Sequence, residues 1–561
     1  MRNIIVVEAV STGYNFVEDI YRRGYNPVIL EPLDPSDDII AKRRTGYELL
    51  YRLPEIIKEA DSFEETVELV RSFEPVLVIA GSENGVPLAT HLADELGLPG
   101  NPWKNIDKMI NKDAMQKALE DAGIRSIKGR IVKSPEEALE FCRENGFTTA
   151  VVKPLRGAGS QGLFLCDDLD EVSSAVSEVL SMKNFFGNEN REVLVQERIV
   201  GTEHIVNTAS CDGMHRVTSV LRYRKVATPE GAYIYDYMEN IMRLEPGHGA
   251  LIEYALKVAD AIGIKYGMIH GEYMLDKDGP VLIEVNCRPI GGTQPAEYMD
   301  MIFGQHETDS MLDSMLDPEK FKRDAAKPYR PHRKAVLKFI MVPNEMDVED
   351  HPVWVVAKRL RSVFSLSAEK VSTPKHYFKT RDVESSGGMI FMVHDDENVV
   401  LSELSFLRRI EKSFFQFLLN EGMSRPWFKR EDTMTDFSEV IRRNGCCGSI
   451  LLATDTPERK EGMQVVSPDT LSDAKGGFDY VIVGYQNSLV GRSESDLLEL
   501  LFDTIDQVRE GGRVIIPPEI YRYFSYGRKG AELLLSIGRC TLEAPVQGAA
   551  ADVVATRLYE S

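Results

Sequence analysis

Apolar and polar positions alternate most cleanly between Val281 and Asn286: Val281, Ile283 and Val285 fall on one face, Leu282, Glu284 and Asn286 on the other. The preceding arm, Met268 to Leu275, is mostly apolar, and Asp276-Lys277-Asp278-Gly279-Pro280 between them carries turn chemistry. The whole stretch, Gly267 to Pro289, therefore reads as a hairpin. A five-residue connection sets Leu275 opposite Val281 and Glu272 directly opposite Glu284, with Asn286 on the same face. Like charges across a strand pair repel, and more so when sheltered from water. Two resolutions are open. Either the acidic face is simply wetted, or a hard cation lies between the carboxylates. Two carboxylates and an amide oxygen are ligands that Mg2+ takes when phosphates complete its shell.

Elsewhere the pattern predicts alternating strands and helices. Ile4–Val7, a helix from about Asn15 to Arg23 and Pro27–Leu30 form a β-α-β start. A helix from Ser62 to Ser72 leads into the buried-type strand Pro75–Ala80. The loop Gly81-Ser82-Glu83-Asn84-Gly85 follows, at the carboxyl end of that strand, where open α/β sheets place ligands. A plain strand–helix connection explains it equally well. Asn111–Gly123 is a short amphipathic helix with Lys112 at its start. Ser134 caps a helix to Asn145. Thr149–Val152 is a strand ending in Lys153-Pro154, and a lysine in so apolar a setting asks for a partner.

Next comes LRGAGSQGLFLC, in which Gly157, Gly159 and Gly162 match GxGxxG by letter. A dinucleotide site needs a helix next. Leu163–Cys166 instead reads as a strand, so Gly157, Gly159, Ser160, Gln161 and Gly162 belong to a glycine loop between strands. Its backbone N–H groups can lie over phosphates; an ordinary hairpin loop is the rival reading. Helix Leu169–Leu180 follows, then strands Val193–Gln196, His204–Cys211 and His215–Tyr223. Ile234–Met242 reads as less regular. Gly249–Gly263 is a helix, the charged stretch Asp317–Lys334 a surface connection, Lys334–Val342 a strand and Leu404–Leu419 a helix. Arg425–Asp432 has linker composition. After it the α/β pattern restarts, with strands Ile450–Ala453, Asp479–Val483 and Arg513–Ile516 and helices Glu494–Arg509 and about Arg528–Ser536.

Composition narrows the function classes. The chain has 561 residues, enough for several domains, with 43% hydrophobic and 27% charged residues, ordinary for a globular protein. Its 66 Lys+Arg against 88 Asp+Glu leave a net charge of −22. That speaks against bulk electrostatic binding to nucleic acid or anionic membrane. An anionic substrate must then meet a local cluster of cations. The seven cysteines form no CxxC pattern, so neither a zinc site nor a disulfide framework is expected, and a cytoplasmic setting fits. No apolar run approaches membrane-spanning length.

Taken in order, Lys112, Lys153, the glycine loop, Gln196-Glu197 with Glu203, and GMIHGEYML…GPVLIEVNCRPIGG resemble the ATP-grasp superfamily over residues 1 to about 425, and most closely its L-amino-acid ligase branch. The resemblance implies an α/β and α+β architecture. An N-terminal Rossmann-like domain would span 1–110, the ATP-grasp core 111–330 and the C-terminal part of that region 331–425. Residues 433–561 resemble a class I methyltransferase-type α/β domain, and an accessory role is expected, because LLATDTPERKEG offers no glycine-rich cofactor loop.

The resemblance also implies ATP as nucleotide and one or two Mg2+ ions, for which Mn2+ can substitute. Lys112 and Lys153 would hold phosphates, and Gly157–Gly162 would close over them. Gln196, Glu197 and Val200 would meet adenine, and Glu203 the ribose. Glu272, Glu284 and Asn286 would hold the metal, with Arg288 facing the transferred phosphoryl group. His270, two residues before Glu272, shares its face; it would touch substrate, or be a satisfied structural histidine. The expected reaction joins a carboxylate to an amine through an acylphosphate. The partners would be those two small molecules, with no nucleic acid and no membrane, and a homodimer is an allowed assembly. A purine-pathway-type enzyme using formate or bicarbonate, and a non-catalytic ATP-binding regulator, are the alternatives. Gly292 stands where some amino-acid ligases carry a bulky aromatic, which implies an acceptor pocket that is larger, or filled from elsewhere.

Overall fold

The computed structural model describes residues 1–33, 54–155, 162–182, 190–227, 233–348, 357–367, 375–383, 385–421, 448–454, 463–467, 476–484, 502–516, 540–543 and 553–557, with isolated positions between them. It divides into two compact units. One comprises Met1–Met341 with Thr380–Glu397, the other Val342–Lys379 with Asn398–Ser561.

The first unit opens with a parallel sheet in the order Glu55–Lys58, Asn26–Glu31, Asn3–Val7, Pro75–Ala80. Apolar runs make these strands because both faces are covered: Ile4, Ile5, Val6 and Val7 are all buried. Ser62 caps the helix Phe63–Ser72 by accepting from Glu65 N at 3.2 Å.

A smaller antiparallel sheet follows, in the order Gly129–Val132, Val193–Glu197, Ala150–Pro154, Phe164–Cys166. Helices Pro135–Asn145 and Leu169–Ser181 cover one face, burying Val132, Phe141, Ala150, Val152 and Val176 in one cluster. Ala150 and Val152 point into that cluster, so strand alternation sends Lys153 to the opposite face. Phe164–Cys166 is a strand, as expected. Of the glycine loop, Gly157, Gly159, Ser160 and Gln161 lie outside the described residues, and Gly162 is described.

The central sheet is antiparallel. Within this unit its strands run in the order Gly279–Asn286, Gly267–Asp276, Thr202–Cys211, Met214–Ala227, Tyr233–Asn240, Lys334–Phe339, Met389–His394. Helix Pro246–Ile262 packs on it through Leu251, Tyr254, Val258 and Ile262.

Three expectations need correction here. The hairpin turn is shorter than five residues: Asp276 pairs with Gly279, so Met274, not Leu275, faces Val281. Gly279 closes the turn at φ +108°, a conformation open to glycine and strained for other residues. A register shift after Glu272 then accommodates one extra residue on the second arm and restores Glu272 opposite Glu284. Second, the stretch read as less regular, Ile234–Met242, forms the strand Tyr233–Asn240, with a register shift at Asp236 against its neighbour. Its pattern is broken by charges that are paired inside: Asp236 with Lys338 at 2.9 Å, and Glu239 with Lys334 at 2.7 Å and Arg222 at 2.5 Å. Third, the charged 317–334 stretch contains the helix Pro318–Ala325. Its Phe321 is fully buried, and its cap Asp317 accepts from Lys320 N at 3.0 Å.

The second unit carries a two-strand pair, Met346–Val348 with Lys375–Tyr377, the helix continuing to Glu421, and a separate sheet. That sheet runs Gln464–Val466, Ile450–Thr454, Phe478–Gly484, Val508–Ile516, Val553–Arg557, Cys540–Glu543; the first four are parallel and the last two pairings antiparallel. Arg359 reaches Asp503 at 2.9 Å and Asp506 at 3.3 Å. The expected linker 425–432, the loop 455–462 and the helix near Arg528 lie outside the described residues. Among the described residues no helix is long and apolar enough to cross a membrane.

Candidate active site

The hairpin brings Glu272 opposite Glu284 and His270 opposite Asn286, as its alternation requires. Helix Lys112–Asp121 delivers a cation to this pair: Lys112 Nζ lies 2.5 Å from Glu284 Oε2. That helix is fixed against the hairpin by Gln116, which donates to Leu282 O at 2.9 Å and accepts from Ile127 N at 2.8 Å. Burial alone would raise the Glu284 carboxyl; the charges of Lys112 and Lys153 outweigh it and hold it well below its usual range.

Lys153 is 7% exposed and, among the described residues, has no hydrogen-bond or ion-pair partner. Burial, reinforced by Lys112, draws its ammonium down to about 8, against the pull of Glu284, Glu272 and Glu203. Lys153 therefore belongs electrostatically to the same cluster. Glu203, beside Glu272 across the sheet, is paired with Lys225 at 2.8 Å; Lys225 in turn stands 4.4 Å over the Tyr235 ring. Gln196 is buried, Glu197 half-buried and Val200 79% exposed at the end of the smaller sheet.

His270 does share a side with Glu272: its Nε2 lies 3.3 Å from Glu272 Oε1. Its Nδ1 lies 2.9 Å from Asn207 Oδ1. Asn207 Nδ2 donates to Ser219 Oγ at 2.9 Å and Glu307 Oε1 at 2.5 Å, so its oxygen is the acceptor and His270 Nδ1–H the donor. Glu307 also accepts from Ile290 N at 2.6 Å, just past Arg288. Asn207 and Glu307 thus fix His270 and the chain after the hairpin. Sequence reading missed both; the only signal was a polar residue in the apolar run IVNTAS and one acid among several in ETDSMLDSML.

The loop 81–85 proves to be part of the site. Arg288 Nε donates to Glu83 Oε2 at 3.1 Å. With its amide nitrogen turned to Glu83 at 2.8 Å, Asn286 directs its carbonyl oxygen away from that carboxylate. The loop can lie this close because glycines abut: a Cβ at Gly13 would stand 2.2 Å from Gly81 O, and one at Gly81 2.6 Å from Glu8 O. Ser82 Oγ donates to Glu8, and so does Asn84 Nδ2, at 3.3 Å. On the other side, Thr293 N donates to Ser11 Oγ at 3.1 Å and Gln294 N to Thr12 Oγ1 at 3.0 Å. Glu8, Ser11 and Thr293 all hold positive φ, between +49° and +55°. Strained backbone of this kind collects where ligands are gripped.

These donors suit a hard cation. Two carboxylates face each other, and the Asn286 amide lies two residues beyond Glu284 on the same hairpin. Among the described residues no three His, Cys, Asp or Glu side chains converge as a complete protein cage. Two carboxylates and an amide oxygen are donors that Mg2+ accepts when phosphate oxygens and water complete its shell.

Residues 110–227 match the family model of the phosphoribosylglycinamide synthetase ATP-grasp (A) domain. The chain is 26% identical over 415 residues to dapdiamide A synthase of Enterobacter agglomerans, covering 73% of this chain and 96% of that protein. It is 30% identical over 254 residues to a phosphoribosylamine–glycine ligase of Methanothermobacter thermautotrophicus, covering 39% and 57%. Among solved structures it is similar to an L-amino acid ligase from Bacillus licheniformis, at 20% identity and a TM-score of 0.55 over 73% of this chain and 97% of that one. It is also similar to N5-carboxyaminoimidazole synthase of Aspergillus clavatus with bound ADP, at 15% identity and a TM-score of 0.53 over 73% and 99%. Residues 110–227 thus carry an ATP-grasp (A) domain, and the proteins that the chain is similar to over most of their length include ligases.

Proposed function

We propose that the chain joins an amino acid, or a similar carboxylate, to an amine at the expense of ATP, through an acylphosphate. The observation that carries this reading is the convergence of Lys112, Glu272, Glu284, Asn286 and Arg288, which resembles the L-amino-acid ligase pattern in order and type. The near-complete coverage of dapdiamide A synthase supports the same branch.

The chemistry follows from the charges. A carboxylate resists amines because its leaving group would be oxide; phosphorylation supplies a better one. Two anions must meet for that transfer, and neutralising them carries much of the catalysis. Lys112, half-buried, and Lys153, buried, lie by the carboxylate pair and would bind phosphate oxygens, Lys153 having no protein partner to leave among the described residues. Glu272, Glu284 and Asn286 would hold Mg2+, which when bound neutralises phosphate charge. Arg288 would exchange Glu83 for the acylphosphate and then stabilise the tetrahedral oxyanion. Gln196, Glu197, Val200 and Glu203 would seat the nucleoside. The glycine loop 157–162 would exclude water from the intermediate. Residues 433–561 would be accessory, without a cofactor of their own.

A second reading has a specific basis. The matched family model, and the phosphoribosylamine–glycine ligases among the relatives, favour a purine-type substrate pair. The deciding experiment is an ADP-release screen over pairs of amino acids and over sugar-phosphate amines, with mass spectrometry of the products. An amide or peptide from amino acids supports the first reading; turnover confined to a sugar-phosphate amine replaces it.

A further inference from the structure

A cavity of about 640 Å3 is lined by none of the residues assigned to ATP or metal above. Its walls are the strand Met214–Ala227, the turn 303–305, the helices Glu307–Leu316 and Pro318–Ala325, and the segment 327–332. Four cations line it, Arg216, Lys320, Lys327 and Arg330, against two carboxylates, Asp309 and Asp324.

Both carboxylates are already committed. Asp324 pairs with Lys327 at 2.6 Å, and Asp309 pairs with Arg23 and accepts from Gln305 Nε2 at 2.6 Å. Lys320 is engaged by Asp313. Neither guanidinium group forms an ion pair among the described residues, although Arg216 lies close enough to Asp324 to lower its pKa. Arg216 donates to the uncharged Gln305 Oε1 at 2.8 Å, and Arg330 has no polar partner among the described residues. In a chain of net charge −22, this cavity carries four cations against two carboxylates, a local excess of positive charge.

Two further observations concern the walls. Thr218 lines the cavity at 8% exposure, and its buried hydroxyl has no hydrogen-bond partner among the described residues. Native structures seldom leave such a group unpaired. Phe303 and Tyr329 add an aromatic wall, their ring centroids 6.3 Å apart.

We propose that this cavity binds a small organic anion: an oxyanion met by Arg216 and Arg330, on an apolar body received by Phe303 and Tyr329. Guanidinium forks match carboxylate and phosphate geometry alike, so the shared chemistry is the oxyanion. The proposal is independent of what the ligase site joins.

The test is calorimetric titration of the full chain, with and without MgADP, using benzoate, phenyl phosphate and the neutral benzamide as probes. At least one anion should bind saturably whether or not MgADP is present, about tenfold or more tighter than benzamide, and Arg330→Gln and Arg216→Gln should each weaken it by about tenfold. Preference for benzoate identifies a carboxylate ligand and preference for phenyl phosphate a phosphate ligand; either supports the site. Arg330 is exposed, so its variant should keep the fold, which a thermal melt checks. Binding of neither anion, equal binding of benzamide, or undiminished anion affinity in both variants overturns the proposal.

Discussion

Lys112 Nζ lies 2.5 Å from Glu284 Oε2, joining the start of a helix to the second arm of a hairpin far along the chain. The contact neutralises one of two carboxylates that the strand register forces together. Among the described residues Glu272 has His270 as its ion-pair partner, at 3.3 Å. The arrangement leaves carboxylate oxygens to offer a cation and ammonium groups to offer phosphate.

Glu284→Gln removes the charge while keeping the shape. Mg2+-dependent ADP formation should fall by at least ~10²-fold, the scale of losing one preorganised electrostatic contact. The circular dichroism spectrum should be unchanged. Full turnover by a folded variant would sink the metal assignment.

Lys153→Met should weaken ATP binding by about 2–5 kcal/mol, because a buried phosphate charge loses its partner. The free ammonium sits at about 8, drawn down first by burial and then by Lys112. Only its protonated form attracts phosphate, so ATP affinity should decline as pH rises through about 8. In Lys153→Met that decline should vanish. Calorimetry from pH 6.5 to 9.5 measures both effects, and an unshifted affinity would return Lys153 to a structural role.

Glu83→Ala should release Arg288 and Asn286 without unfolding the chain, since Glu83 stands on a loop whose close packing is made by Gly13 and Gly81. A partner that orients a functional group typically changes activity by 10–100-fold, so about a tenfold rise in KM for the carboxylate or amine is expected. ATP affinity should not move. Steady-state kinetics that shift the KM for ATP alone would place Glu83 at the nucleotide instead.

His306 is buried between Asp300, 2.8 Å from its Nδ1, and Asp19, 2.9 Å from its Nε2. Burial disfavours its charge, but the two aspartates prevail and raise its pKa to about 10. A folded value above the unfolded ~6.5 means the stabilisation is complete below pH ~6.5. It is lost progressively as pH rises through about 10. Urea unfolding should show stability falling between pH 7 and 10, and His306→Gln should flatten that slope. An equal slope in the variant would mean the proton uptake lies elsewhere.

The sequence by itself determined what neighbours along the chain can determine. Period-two alternation placed Glu272, Glu284, Asn286 and His270 on one side of a hairpin, and it held although the turn was misjudged, because a bulge restored the register. Serines at positions 62 and 134 marked helix starts, and the strand after the glycine loop excluded a dinucleotide fingerprint. The tertiary structure decided which distant charges meet. Asn207 and Glu307 had no distinguishing local pattern, and the loop position of Glu83 marked only its neighbourhood, since their roles come from contacts with His270, Ile290 and Arg288. The strand Tyr233–Asn240 looked irregular for the same reason: its acids are tolerable inside only because Lys334 and Lys338 arrive from another strand to pair with them. A buried charge is fixed by its partner, and partners brought together by folding leave no period in the sequence.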